Sequence, residues 1–166
     1  MIEVEVDHVT VDPTTNTPMV LLRETKGRGR AMSIFIGHPE ATAIVFALEH
    51  IEAPRPLTHD LLKDVLATVG VEVEYVLVSE LRGSTFYAEL HLRGGGDSWS
   101  VSCRPSDALA LAVRVQCTIF VVEDVMDAAL VEEEGDSPPR GGEDAEATME
   151  DFRQFINTVN PEDFAS

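Results

Sequence analysis

Trp99-Ser100-Val101-Ser102-Cys103-Arg104-Pro105-Ser106-Asp107-Ala108-Leu109-Ala110-Leu111-Ala112-Val113-Arg114 is the stretch on which the fold of this chain turns. Trp99, Val101 and Cys103 alternate with serines, which predicts a half-buried strand. Pro105 suits the first helical position, where a missing N–H costs nothing and φ is already helical. Asp107 falls in the first turn, where a carboxylate meets the positive end of the helix dipole. Of the seven residues 108–114, six are Ala, Leu or Val, so this helix is apolar nearly all round. Such a helix must be buried on most sides, with other elements built around it. Arg104 and Asp107 then stand where a buried helix surfaces, either as a structural cap or as the rim of a site.

Working outward, Ile2, Val4 and Val6 alternate with Glu3, Glu5 and Asp7, the pattern of a strand with one wet face. Residues 19–23 and 32–36 read as two further strands, which makes the opening of the chain an antiparallel meander. Gly37-His38-Pro39-Glu40 opens a helix on Ala41, Ile44, Val45, Leu48 and Ile51. Pro54 and Pro56 then break the chain, because each proline pushes its predecessor out of helix. A second helix starts at Thr58 and is expected to bury Leu61, Leu62, Val65, Leu66 and Val69, with Gly70 in the usual position just past its end. Residues 71–81 and 85–93 are strands, and residues 118–122 a last short one. From residue 127 to about 145 the composition turns acidic and rich in Gly and Pro, which predicts a disordered linker. Residues 146–166 then carry Met149, Phe152, Phe155, Ile156 and Val159 at helical spacing, an amphipathic helix in need of an apolar surface. The expected organisation is therefore a domain over 1–126, an acidic linker over 127–145 and a terminal helix and tail over 146–166.

The chain of 166 residues has a formal net charge of −18. Such a surface repels polyanions, so composition argues against strong nucleic-acid binding. The only basic cluster is Arg23, Lys26, Arg28 and Arg30, placed to form a hairpin tip that either meets a phosphate backbone or is simply solvated. No run approaches the ~20 apolar residues of a membrane span, and the acidic N-terminus is unlike a signal peptide. A cytoplasmic protein with no membrane association is expected. Cys103 and Cys117 have neither disulfide nor zinc spacing and read as reduced thiols.

Candidate chemistry lies at the element junctions. Glu40 opens the first helix; Arg55, Thr58, His59 and Asp60 lie before and within the first turn of the second; Arg104 and Asp107 open the third. Converging helix N-termini would make a cleft of arginines, a histidine and carboxylates. Arg55 and Arg104 can hold a phosphodiester through bidentate bonds. His59 can serve as general base or acid, with Asp60 and Asp107 as its catalytic partners. Glu40, Asp60 and Asp107 are candidate ligands for a divalent metal, magnesium or manganese, that activates water. The structural alternative is that first-turn carboxylates satisfy free N–H groups and that Arg55 locks the connector to an acid.

These junctions resemble the bifunctional nuclease domain family of bacteria and plants. The matching stretches are Ile34-Phe35-Ile36-Gly37 with Glu40-Ala41, Pro54-Arg55-Pro56-Leu57-Thr58-His59-Asp60-Leu61, Thr85-Phe86-Tyr87-Ala88, and Arg104-Pro105-Ser106-Asp107-Ala108-Leu109-Ala110-Leu111-Ala112. They fall in order over about residues 1–126, and the closing residues resemble the tail of actinobacterial members. The resemblance implies a hydrolase of low selectivity that cuts phosphodiester bonds in both RNA and DNA. The rival reading is a non-enzymatic binding or regulatory module that takes a protein or small ligand in the same cleft and assembles as an oligomer. Either way, the apolar face of the terminal helix predicts a homo-oligomer, a dimer or larger. The expected fold class is α+β: a mixed, largely antiparallel sheet packed with three helices, followed by the acidic linker and the terminal helix.

Overall fold

A computed structural model describes residues 1–136. Seven strands form one sheet: β1 (Ile2–Val11), β2 (Pro18–Glu24), β3 (Ala31–Phe35), β4 (Val71–Arg82), β5 (Thr85–Gly94), β6 (Asp97–Cys103) and β7 (Thr118–Val121). Their order is β3-β2-β1-β7-β4-β5-β6. Every neighbouring pair is antiparallel except β4 with β7, so the sheet is mixed and largely antiparallel, as expected. Helices α1 (His38–Leu48), α2 (Thr58–Thr68), α3 (Pro105–Val115) and α4 (Glu123–Asp136) complete the described residues.

Strand register explains the core. Residues directly opposite on neighbouring strands share a face. That rule places Met32 and Ile34, Val20 and Leu22, Val4, Ile119 and Val121, Val76 and Val78, and Ala88 and Leu90 on one side of the sheet. All of them are buried in one cluster with residues of α1, α3 and α4. As the all-round apolar pattern predicts, α3 is the hub: Ala108, Leu109, Ala110 and Leu111 are fully buried. It touches α1, α2 and strands β4, β5 and β7. Burying Leu109 and Leu111 stabilises the fold by about 1.5–3 kcal/mol each relative to leaving them exposed.

Four expectations change. A fourth helix stands where three were expected, and it crosses the anticipated domain boundary at residue 126. Val125, Met126 and Ala129 of α4 are buried, so apolar docking outweighs the acidic composition of this segment. In α2 the expected inward stripe instead faces solvent: Leu61, Leu62, Val65 and Val69 are exposed, and Leu66 alone packs partly on the core. The helix lies on α3 and turns His59, Lys63 and Leu66, spaced i, i+4, i+7, toward it. Strand β6 is not half-buried: Trp99 and Val101 are each 45% exposed. It forms the sheet edge beyond the reach of α3, although the alternation of its side chains holds. Lastly, Arg30 of the basic cluster is no phosphate arm, because it pairs with Glu24, Glu123 and Asp127 and fastens α4 to the β2–β3 hairpin. Arg23 and Lys26 are likewise paired, with Asp7 and Glu3.

Both cysteines are free. No described helix is long and apolar enough to cross a membrane. The expected linker residues 137–145 and the terminal helix of 146–166 lie outside the described residues.

Candidate active site

The N-termini of α1, α2 and α3 meet. Gly37 and Arg104 precede α1 and α3 in extended conformation and neither caps its helix with a side chain. The first-turn carboxylates Glu40 and Asp107 are therefore open to other partners, and both take Arg104, three residues before Asp107 and on a different element from Glu40. Arg104 Nε and Nη2 donate to Asp107 Oδ2 and Oδ1 at 2.7 and 2.9 Å, a bidentate pair. Arg104 Nη2 also lies 2.8 Å from Glu40 Oε1. From α2, His59 Nε2 stands 3.3 Å from Asp107 Oδ1. Glu40, Arg104, Asp107 and His59 thus form one continuous polar chain across three helix entrances.

Burial differs along that chain. The Arg104 side chain is 65% exposed, whereas the His59 side chain is 10% exposed. His59 is one of few buried polar side chains among the described residues. Its Nδ1 has no protein partner there, yet it is not sealed from solvent as His91 Nε2 is. Asp107 therefore orients the imidazole through Nε2. Burial works against the Asp107 charge, but the bonds from Arg104 and His59 outweigh it and hold this carboxyl below the usual carboxylate range. Bonds to Asp107 and Glu40 hold Arg104 firmly protonated.

Asp60 has a different place from the one expected. Its Oδ2 accepts the Leu57 N–H at 2.9 Å, and its Oδ1 accepts Arg114 Nε at 2.6 Å. Both oxygens are engaged, so Asp60 fastens α2 to α3. Glu40 and Asp107 share a guanidinium while Asp60 holds another, so these three carboxylates are not gathered into a common ligand set. Among the described residues, no three His, Cys, Asp or Glu side chains are grouped to hold a metal ion. Arg55 is exposed and joins none of these contacts.

Two contributors have no counterpart in the sequence reading. Arg114, only 5% exposed, bonds Asp60 of α2, the Ala43 carbonyl of α1 at 2.9 Å and the Ala110 carbonyl of its own helix at 2.8 Å. It locks together the three helices whose entrances make the site. The available signal was a lone arginine in the last turn of an otherwise apolar helix, where a cation also meets the dipole's negative end. Gly37 is the other, for a Cβ there would run into Glu40 Oε2. Its hydrogen side chain lets the Glu40 carboxylate fold back over the helix entrance toward Arg104.

Residues 20–134 match the bifunctional nuclease domain. The chain belongs to that family. Every residue of the polar chain falls inside the matched segment. Along nearly its whole length, the chain is also 39% identical to an uncharacterized protein of Mycobacterium tuberculosis, over 164 residues that cover 98% of this chain and 97% of the relative. Bifunctional nuclease 2 of Arabidopsis thaliana is 30% identical over 105 residues, covering 61% of this chain and 32% of the plant protein. Bifunctional nuclease 1 of the same plant is 27% identical over 107 residues, 63% of this chain and 33% of its own length. The chain thus spans about a third of those plant relatives.

The depressed carboxyls of this bifunctional nuclease domain set a pH dependence of folding. For both Asp60 and Asp107 burial raises the pKa, but the arginine bonds prevail and the net shift is downward. In the interval between the folded and unfolded values, the unfolded chain binds more protons, so stability rises with pH. The contribution is complete above the unfolded aspartate value of about 3.9 and is lost as pH falls through the folded values. Thermal melting of wild type against Asp107→Asn is expected to differ most at neutral pH and to converge in acid. Parallel curves at all pH values would remove Asp107 from the acid transition.

Proposed function

We propose that the protein is a nuclease of low selectivity that hydrolyses phosphodiester bonds in RNA and DNA, with its centre at Arg104, Asp107 and His59. The observation that carries this reading is the Asp107–His59 pair beside the exposed Arg104 guanidinium. A phosphodiester approaching Arg104 exchanges a carboxylate partner for phosphate oxygens, which a guanidinium grips with two parallel bonds. DNA has no 2′-hydroxyl, so one chemistry for both polymers cannot use that group, and in this reading the nucleophile is water. His59 Nδ1 takes the proton of that water as its oxygen bonds phosphorus, and the bond to the leaving oxygen breaks. Asp107 stabilises the imidazolium so formed, and the proton then passes to the leaving oxygen. Glu40 holds Arg104 through Nη2, and Asp60 serves through the placement of α2. Arg55, exposed and outside these ion pairs, is in this reading a second contact for the polymer backbone.

The test is cleavage of labelled RNA and single-stranded DNA by the monodisperse protein, with magnesium, with manganese and with chelator. Activity should co-elute with the protein and be lost in Arg104→Ala. Absence of cleavage in every arm, or equal cleavage by the variant preparation, would overturn the reading. A second reading is favoured by one observation: Arg104 is already shared between two carboxylates in a chain of net charge −18. A non-enzymatic module that binds a protein or small ligand at these helix entrances would show saturable binding without turnover in the same assay.

A further inference from the structure

Strand β6 ends the sheet, and its outer edge has no partner strand among the described residues. Proteins usually blunt such edges with charge, proline, bulges or a covering element. The opposite edge, β3, is short and in contact with α4. By contrast β6, Asp97–Cys103, has no proline, no lysine, no arginine and no bulge in its pairing with β5. Asp97 is its single charge, so Ser98 to Cys103 are six uncharged residues in a row on a chain of net charge −18. On a chain of that net charge, an uncharged edge is one place where a second copy meets little repulsion.

The side chains also carry a pattern. Trp99, Val101 and Cys103 lie opposite Leu92, Leu90 and Ala88, so they continue the core face of the sheet past its helical cover. Trp99 and Val101 are left as an exposed apolar pair, each 45% accessible. The strand is self-complementary about Ser100. If a second copy runs antiparallel along this edge with Ser100 against Ser100, Trp99 of each copy lies opposite Val101 of the other. Ser98 then meets Ser102, and both apolar pairs fall on one face. The two Asp97 carboxylates sit at opposite ends of the strand, about 20 Å apart. Each lies opposite Cys103, next to the Arg104 that follows it. Glu89, bonded to Ser100 Oγ at 2.6 Å, has its backbone three strand spacings from its copy, about 14 Å across the sheet, and is offset along the strands as well.

We propose that β6 is the self-association edge of this protein, pairing two-fold with β6 of a second copy to form one continuous sheet. The occupant is another copy of the chain because edge and apolar pair complement themselves under one rotation that also keeps the two Asp97 charges apart. The pairing is independent of the nuclease reading.

Light scattering on the full chain at micromolar concentration should return the mass of two 18.2 kDa chains. Val101→Lys places an ammonium against Trp99 of the other copy, and the mass should fall to that of one chain. Val101 is already half exposed, so the variant should keep the wild-type circular dichroism spectrum and melting profile. Ser100→Cys supplies an independent readout: the two new thiols face each other across the axis and should form an intermolecular disulfide on mild oxidation. Wild type should form none, because Cys103 faces Asp97 rather than a thiol. A monomeric wild type would overturn the proposal. So would a dimer that survives Val101→Lys and fails to cross-link through Ser100→Cys, since its contact would lie elsewhere.

Discussion

His59→Ala should lower phosphodiester cleavage by about 10²–10⁴-fold, the usual contribution of a positioned general base. The effect should appear in kcat, because the imidazole acts on the proton of the attacking water rather than on the bound phosphate. Arg104→Ala should differ in kind and weaken substrate capture as well as turnover, since its guanidinium meets the phosphate directly. Asp107→Asn keeps the carbonyl acceptor but removes the charge that stabilises the imidazolium, so it should follow His59→Ala in kcat while binding persists. The control is stability. His59 packs between α2 and α3, and its truncation costs some folding energy, so rates must be taken well below the melting temperature. If His59→Ala cleaves at the wild-type rate while folded, the histidine is a buried strut and the proposed water activation fails.

Arg114→Ala should cost on the order of 3 kcal/mol of folding stability, as loss of one partner of a buried ion pair does. The magnitude follows from what is left behind. Asp60 keeps its charge and its bond to the Leu57 N–H but loses the guanidinium, and the Ala43 carbonyl loses a donor. Asp60 remains a third exposed, which lets water recover part of the loss and places the value at the lower end of the range for buried pairs. For a chain of this length that corresponds to a melting shift of roughly 6–12 °C. Urea denaturation of wild type, Arg114→Ala, Asp60→Ala and the double variant closes a cycle. Removing Asp60 as well should restore part of the stability, because no uncompensated carboxylate then remains. A loss below about 1 kcal/mol would class the pair with solvent-screened surface ion pairs.

Much of the architecture was legible in single residues. Six apolar residues in seven after Arg104-Pro105-Ser106-Asp107 allow no surface helix, so α3 had to be central, and it is. Alternation in residues 2–7 and the Gly70 stop after α2 depend on local sterics alone, and both hold, Gly70 with φ of 71°. The junction residues Glu40, His59, Arg104 and Asp107 were visible because helix entrances after strands draw acids, prolines and polar partners for local reasons.

Periodicity, however, says which residues share a face and not what covers that face. Helix α2 carries one stripe at 59, 63 and 66 and another at 61, 62, 65 and 69, and the second is the more apolar. Packing on α3 turned in the first, because His59 reaches Asp107 and Asp60 reaches Arg114 only in that orientation. In the same way, β6 shows a buried strand's alternation but lies beyond the helical layer, so Trp99 and Val101 stay exposed. The three first-turn carboxylates are alike in local sequence. Their separate fates rest on partners 48 and 54 residues away for Asp107 and Asp60. Local chemistry therefore determined where the helices begin and which is buried. Long-range packing alone decided that Glu40 also takes Arg104, that His59 meets Asp107, that Asp60 meets Arg114, and which apolar faces remain open, because contacts between distant segments are set only when the whole layer closes.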